Sequence, residues 1–316
     1  MLVKGDIPKL LLAGMKEQFM ERFDQIDNEH ERIATVIDSE SSSETYAWLG
    51  GTPKMREWKD ERVPQGLKEH NYTILNRDFE SSISVDRNAF ADEQYGQIET
   101  RVQQLADEAS RHFEEMAFTL INQGENEVGD SGTLYSGVDL KAYDGEAYFS
   151  SNHEEDESGT QSNIEDSSDA ALDTDTVQAA ITAMKSLKDD KGKPAHINPD
   201  LIVVPTDYEF AAREILNSAY YPSEGTDTAK LATNVLQGAL DLVESPYLDS
   251  DAFYLFDTNR VVNPLIMQMR KQPEFTSLTE GTEAAFMRKK MYFGVDWRGE
   301  ILWGDWRTGY KVDTSN

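Results

Sequence analysis

The chain has 316 residues, no cysteine, and 59 Asp and Glu against 30 Lys and Arg, a formal net charge of -29. This excludes a disulfide scaffold and cysteine-held metals, and it argues against a grip on nucleic-acid phosphates, which needs a positive face to release counterions. A hydrophobic share of 38% is too high for a disordered chain, and the length suggests about two domains.

In chain order, the first predicted element is a helix. Asp6 can cap it with Pro8 in its first turn, and Ile7, Leu11, Met15, Phe19, Phe23 and Ile26 follow at nearly four-residue spacing. That stripe suits either an ordinary core helix or an N-terminal arm lying on a partner. Its apolar run Leu10 to Met15 is broken by Lys16, too early for a secretory core or a bilayer span, so a cytoplasmic setting is expected. Ser39 to Thr45 reads as a linker. The Trp-, Gly- and Pro-containing stretch after it has no helical or strand period. His70 to Asn76 and Phe79 to Arg87 alternate polar and apolar residues and read as two strands of an extended hairpin.

The strongest helix is expected from Asp92 to Asn122, with Ile98, Val102, Leu105, Ala109, Met116, Leu120 and Ile121 on one face and Gly124 placed to stop it. Ser151 to Asp175 holds nine acidic residues and no Lys or Arg, and reads as a mobile acidic loop. An α/β block follows, with helices at Thr174 to Leu187 and Tyr208 to Asn217 and strands at Leu201 to Val204 and Ala252 to Phe256. Val261 to Val312 is strand-rich, and Trp297-Arg298-Gly299-Glu300 reads as a hairpin turn. Trp297, Trp303 and Trp306 are expected as core or interface anchors.

Chemical motifs are weak. Gly129-Asp130-Ser131-Gly132-Thr133 is similar to a serine-protease nucleophile segment, but no His and Asp partner is marked and the long helix contradicts the barrel scaffold of those enzymes. The five histidines are scattered, so no zinc site is expected; His153 beside Glu154 and Asp156 could at most hold a hard cation, and a solvated loop is the simpler reading. Lys191-Gly192-Lys193-Pro194 lacks the glycine and hydroxyl residue of a phosphate loop. No catalytic residue and no cofactor is expected.

One set of blocks is more specific. Ile33-Ala34-Thr35-Val36, then Tyr46-Ala47-Trp48-Leu49-Gly50, Pro53, Arg56-Glu57-Trp58 and Arg62 resembles the phage Mu-type major head subunit family. Tyr72-Thr73-Ile74, Phe79-Glu80, Val85-Asp86-Arg87, Asp92 to Gly96, Tyr143-Asp144-Gly145 and Phe149 to His153 continue the likeness, which is clearest over about residues 5 to 155. The resemblance implies an α+β, Hong Kong 97-type capsid fold with a long spine helix. Its parts would be an N-terminal arm (1–43), an extended loop (44–90), a peripheral domain (91–170 and 261–316) and an axial domain (171–260). It also implies inter-subunit contacts through Trp48, Arg56, Glu57, Trp58 and Arg62, with the tryptophans as anchors and the arginines pairing with acids of a neighbour.

The implied function is an icosahedral head shell of a tailed phage or related virus. It would be built from hexamers and pentamers of this chain, enclose double-stranded DNA without reading its sequence, and require no membrane. Scaffold, portal and decoration proteins are implied partners, and virion and host cytoplasm the implied locations. Lys54, Lys59 and Lys68 could supply a covalent crosslink, but none is expected, and the start at Met1 with the arm helix is read as lacking a long cleaved prodomain. Two other readings stay open: an encapsulin-like or gene-transfer shell with the same fold, and an acidic cytoplasmic hydrolase using a carboxylate pair.

Overall fold

The long amphipathic stretch organises the molecule. In the computed structural model, which describes residues 7–46, 71–86, 95–166, 170–222, 231–278 and 287–314, it forms a helix of 28 residues, Tyr95–Asn122, about 42 Å long. All the apolar positions read from its sequence are buried. Calling Ile7–Asp24 α1, His30–Ile33 α2 and this helix α3, α1 lies along α3. Met15 and Phe19 bury against Ile98, Val102 and Leu105, and Arg22 Nε donates to Asp107 Oδ1 at 2.6 Å. This part of α1 is therefore a core element of its own chain.

α3 ends by a route other than a glycine cap. Gly124 is not in the left-handed region; a Cβ there would sit 2.3 Å from the Phe149 ring, so the glycine admits that ring. Asn122 anchors the helix end, its Nδ2 donating to Tyr247 O at 2.8 Å and its Oδ1 accepting from Asp249 N at 3.1 Å.

Two sheets flank this axis. In the first, β1 (Ala34–Asp38) runs parallel to β13 (Leu265–Leu278), which pairs antiparallel with β14 (Lys290–Trp303), and β14 pairs antiparallel with β4 (Arg77–Asp86). β2 (Ser43–Thr45) and β3 (Thr73–Leu75) form a separate antiparallel ladder. This corrects two expectations. The strands read as a hairpin with each other take different partners, β3 with β2 and β4 with β14, because alternation fixes a face and leaves the partner open. Residues 39 to 45 are no linker: Ser39 is buried and β2 is hydrogen-bonded.

Trp297 to Glu300 is no turn either. It lies inside β14, with Met269 opposite Gly299. A Cβ at Gly299 would stand 2.2 Å from Gln268 O and 2.7 Å from the Trp297 ring, so this glycine serves a close approach of strands. Trp297, Trp303 and Trp306 are all buried, as expected.

The second sheet consists, from edge to edge, of β11 (Asp241–Ser245), β8 (Leu201–Pro205), β12 (Ala252–Phe256), β15 (Gly309–Asp313) and β7 (Ile164–Glu165). β8 and β12 are buried at every position, which is why unbroken apolar runs identified them. Between β8 and β11 in the chain, β9 (Tyr220–Pro222) and β10 (Leu231–Thr233) pair antiparallel with each other. Helix α4 (Thr174–Ser186) packs on β15, and α5 (Glu209–Asn217) packs on β8 and β11. Asp173 caps α4 by accepting from Thr176 N at 2.7 Å. The last strand of the chain thus joins the sheet of the α/β block, and one apolar cluster runs from α3 through both sheets.

Candidate inter-subunit contact site

The sequence-marked residues Trp48, Arg56, Glu57, Trp58 and Arg62 lie outside the described residues, as do Lys54, Lys59 and Lys68. What the structure defines is the root from which residues 47–70 depart. Ser43, Glu44 and Thr45 pair with Leu75, Ile74 and Thr73, and Tyr46 N donates to Tyr72 O at 2.7 Å. The two ends of the segment leave from adjacent positions.

A polar network locks this root to the first sheet. Tyr46 Oη donates to Gln268 Oε1 at 2.8 Å, and Gln268 Nε2 donates to Asn76 Oδ1 at 2.7 Å. Asn76 Nδ2 in turn donates to Ser39 Oγ and Ser41 O, both at 2.9 Å. Glu44 Oε1 closes the circuit by accepting from Ser39 Oγ at 2.9 Å and from the amides of Glu40 and Ser41 at 3.0 and 3.1 Å. Those donors, Ser39 foremost, hold the Glu44 carboxyl below its usual range. Burial pushes the Tyr46 phenol up to about 12, with the Glu44 charge adding to the effect. Gln268 is fully buried, so a polar side chain in mid-strand has a purpose: it satisfies the root. One residue beyond Asn76, Arg77 forms a bidentate pair with the buried Glu300 and donates to Leu134 O at 2.6 Å. Burial raises the Glu300 carboxyl even against the opposing pull of Arg77.

A second polar assembly joins the acidic segment to the last strand, and over the described residues 151–166 it overturns the reading of Ser151 to Asp175 as a mobile loop. His153 is fully buried and stacks on Trp306 at 3.9 Å with a 3° interplanar angle. Its Nδ1 lies 2.6 Å from Asp144 Oδ2, and Nε2 faces Tyr148 O and Asn163 Oδ1 at 3.2 Å each. It is neither a solvated residue nor part of a cation site with Glu154 and Asp156. Glu155, also buried, pairs with Arg307 and accepts from Trp306 Nε1 at 3.3 Å. Arg307 donates further to Tyr143 Oη at 2.5 Å and Asp305 Oδ1 at 3.0 Å. Burial alone would lower the guanidinium, but Asp305, Tyr143 and Glu155 outweigh it and leave it raised. Asn163 Nδ2 donates to Tyr148 O at 2.7 Å and Trp306 O at 3.1 Å. Short strands β5 (His153–Glu154) and β6 (Thr160–Gln161) pair antiparallel within the segment, and Ile164 and Glu165 pair with Lys311 and Val312.

The chemistry-bearing motifs occupy ordinary local structure. Ser131 is exposed in a turn with Gly132 at φ +91°. Asp189 Oδ1 accepts from the amides of Lys191 and Lys193 in the turn around Gly192. Among the described residues, no group of three or more His, Cys, Asp or Glu could hold a metal ion, and no helix is long and apolar enough to cross a membrane. A cleft of about 380 Å³ between α4 and β15 has two carboxylates in its lining, Glu165 and Asp175. Both are exposed, so no buried environment distinguishes an acid from a base there.

The chain matches the family model described as Mu-like prophage major head subunit gpT over residues 9–172, 166–248 and 249–315. It is 23% identical over 311 residues to the Mu-like prophage FluMu major head subunit of Haemophilus influenzae, covering 98% of this chain and 74% of the relative. It is likewise 23% identical over 313 residues to the major capsid protein of Escherichia phage Mu, covering 99% of this chain and 75% of the relative. The subunit in the procapsid of bacteriophage JBD30 superimposes with a TM-score of 0.58 at 25% identity, over all of this chain and 77% of that one.

Proposed function

Since the chain belongs to the Mu-like prophage major head subunit gpT family, we propose that its work as the major capsid protein of a tailed-phage head is done by the segment rooted at β2 and β3. The fold is the α+β capsid fold, and the chain is a virion component that assembles with copies of itself. The observation that carries the assignment of the loop is the root network of Tyr46, Gln268, Asn76 and Glu44, which gives a segment with two tryptophans and two arginines a fixed point of departure.

On this reading residues 1–43 form the arm and 44–90 the extended loop. Residues 91–170 and 261–316 form the peripheral domain and 171–260 the axial domain, with Gly309–Asp313 crossing over to complete the axial sheet. Trp48 and Trp58 anchor the loop on a neighbour, while Arg56, Glu57 and Arg62 pair across the contact. The role is structural, with no catalytic centre. Subunits assemble in the host cytoplasm, meet scaffold, portal and decoration proteins there, and enclose double-stranded DNA without sequence-specific contacts, consistent with the charge of -29. Many modest contacts close the shell together.

Electron microscopy and sedimentation of the purified chain, across salt and protein concentration, test the reading. Closed shells or capsomers are expected. A species that stays monomeric under every condition overturns it.

A further inference from the structure

Beside α3, a cleft of about 340 Å³ opens between that helix and the first sheet, with Phe79, Ala109, His112 and Trp297 in its lining and Glu80 and Glu108 at its edge. The Phe79 and Trp297 rings stack at 4.8 Å, and His112 lies 4.9 Å from Phe79. Two features set the cleft apart from a packing defect. Trp297 is 5% exposed, yet its Nε1 has no hydrogen-bond partner. His112 Nε2, also shielded from solvent, has none either. A buried indole N–H and a buried imidazole nitrogen left unsatisfied each carry a desolvation penalty, and an incoming group with one donor and one acceptor would relieve both.

We propose that this cleft receives the indole of Trp58 from the 47–70 segment of a second copy of the chain. The inference rests on the reading of 44–90 as a loop that reaches a neighbour, and it names the place where the loop lands. Both nitrogens are shielded from solvent as the cleft stands, so an indole N–H meets His112 Nε2 and a loop carbonyl meets Trp297 Nε1–H only as the two rings shift on docking. A flat aromatic body suits a cleft walled by stacked rings.

Reach selects between the two tryptophans of the segment. Trp48 is two residues from Tyr46, whose hydroxyl is bound to Gln268, so it stays within about 7 Å of its own root. Trp58 is twelve residues from Tyr46 and fourteen from Tyr72, so it can extend to roughly 40 Å. Charge permits the same landing. Residues 47–70 carry five Lys and Arg against four Asp and Glu in a chain of net charge -29. The stretch around Trp58 is itself neutral, Arg56, Lys59 and Arg62 alternating with Glu57, Asp60 and Glu61, so its three cations can meet Glu80 and Glu108, both exposed and without an ion pair among the described residues, only with the loop's acids turned away.

The absence of cysteine makes the test clean. Lys59→Cys and Glu108→Cys are made in separate full-length chains, mixed before assembly, and treated with a short bifunctional maleimide. Covalent dimers are expected from the mixture and from neither variant alone. Adding Trp58→Ala should lower the cross-linked yield about tenfold, the loss of a buried aromatic anchor. Cross-linking only when both cysteines share one chain overturns the proposal by showing that the loop folds back on its own subunit. Shells that form normally without the cross-link overturn the landing site alone. A wild-type chain that never leaves the monomer overturns the capsid-loop reading and this inference with it.

Discussion

Arg307 is 3% exposed and Glu155 is 3% exposed, and each satisfies the other's charge. Replacing Arg307 with Leu strands a carboxylate beside Trp306 and Tyr143, and breaking a buried pair from one side costs about 3–5 kcal/mol. Exchanging both together, Glu155→Leu with Arg307→Met, removes the stranded charge and should recover most of that loss. Denaturant unfolding of the single and double variants measures the difference; equal destabilisation would show that the pair's hydrogen bonds to Trp306 and Tyr143 matter more than its charge. Tyr46 supports a pH prediction. Its phenol ionises near 12 in the fold against an ordinary value of 10, so its contribution is intact below about pH 10 and is lost as pH rises through about 12. Ionisation removes the proton donated to Gln268. The wild-type chain should therefore lose stability over that window, and Tyr46→Phe should show a smaller alkaline loss from a lower starting stability. Alkaline denaturation followed by phenolate absorbance checks this; an identical alkaline slope in the variant would place the titrating group elsewhere.

Elements held by local periodicity were legible, and elements held by distant partners were not. The apolar stripe from Ile98 to Ile121 and the unbroken runs at Leu201 and Ala252 announce a packed helix and two buried strands, because each pattern records its own burial. The acidic segment misled because its stability comes from afar: Glu155 and His153 are satisfied by Arg307 and Trp306, some 150 residues on, and the exposed acids around them conceal these two buried residues. The root of the contact segment was hidden for the same reason, since nothing near Tyr46 in sequence names Gln268. A faint signal did exist in Gln268 itself, a lone amide in the run Leu265-Ile266-Met267-Gln268-Met269, where a buried polar group must have a partner. Trp48, Arg56, Glu57, Trp58 and Arg62 lie outside the described residues and are expected as contacts only through family likeness, since no local pattern marks a side chain whose burial would come from another chain. Gly299 separates a strand from a turn experimentally. In a turn, Gly299→Ala would be mild; inside β14 it drives a methyl group into Gln268 O and the Trp297 ring, an overpacking of about 1–3 kcal/mol. Thermal unfolding of the variant reads the difference, and a change within about 0.5 kcal/mol would contradict the close approach.

At the scale of the whole molecule, the charge of -29 becomes a condition on assembly. Two opposite salt effects compete when copies meet. Pairing of loop cations with acids on a neighbour weakens as salt rises, and exposed pairs of this kind are worth only about 0–1 kcal/mol each. Repulsion between the bodies also weakens, and it involves far more charge, since residues 47–70 together carry only one net positive charge while the remainder of the chain carries the entire acid excess. The screening length shortens from about 10 Å at 0.1 M to about 3 Å at 1 M, a range over which acids facing each other across a contact cease to interact. Repulsion outweighs pairing, so shell yield should rise with sodium chloride and rise at lower concentrations of magnesium or calcium, which neutralise carboxylates directly. Light scattering with particle counting across a salt series measures the yield. A yield that stays flat or falls would mean that cation-to-carboxylate contacts dominate the interfaces, and that the acid excess is oriented away from every neighbouring copy.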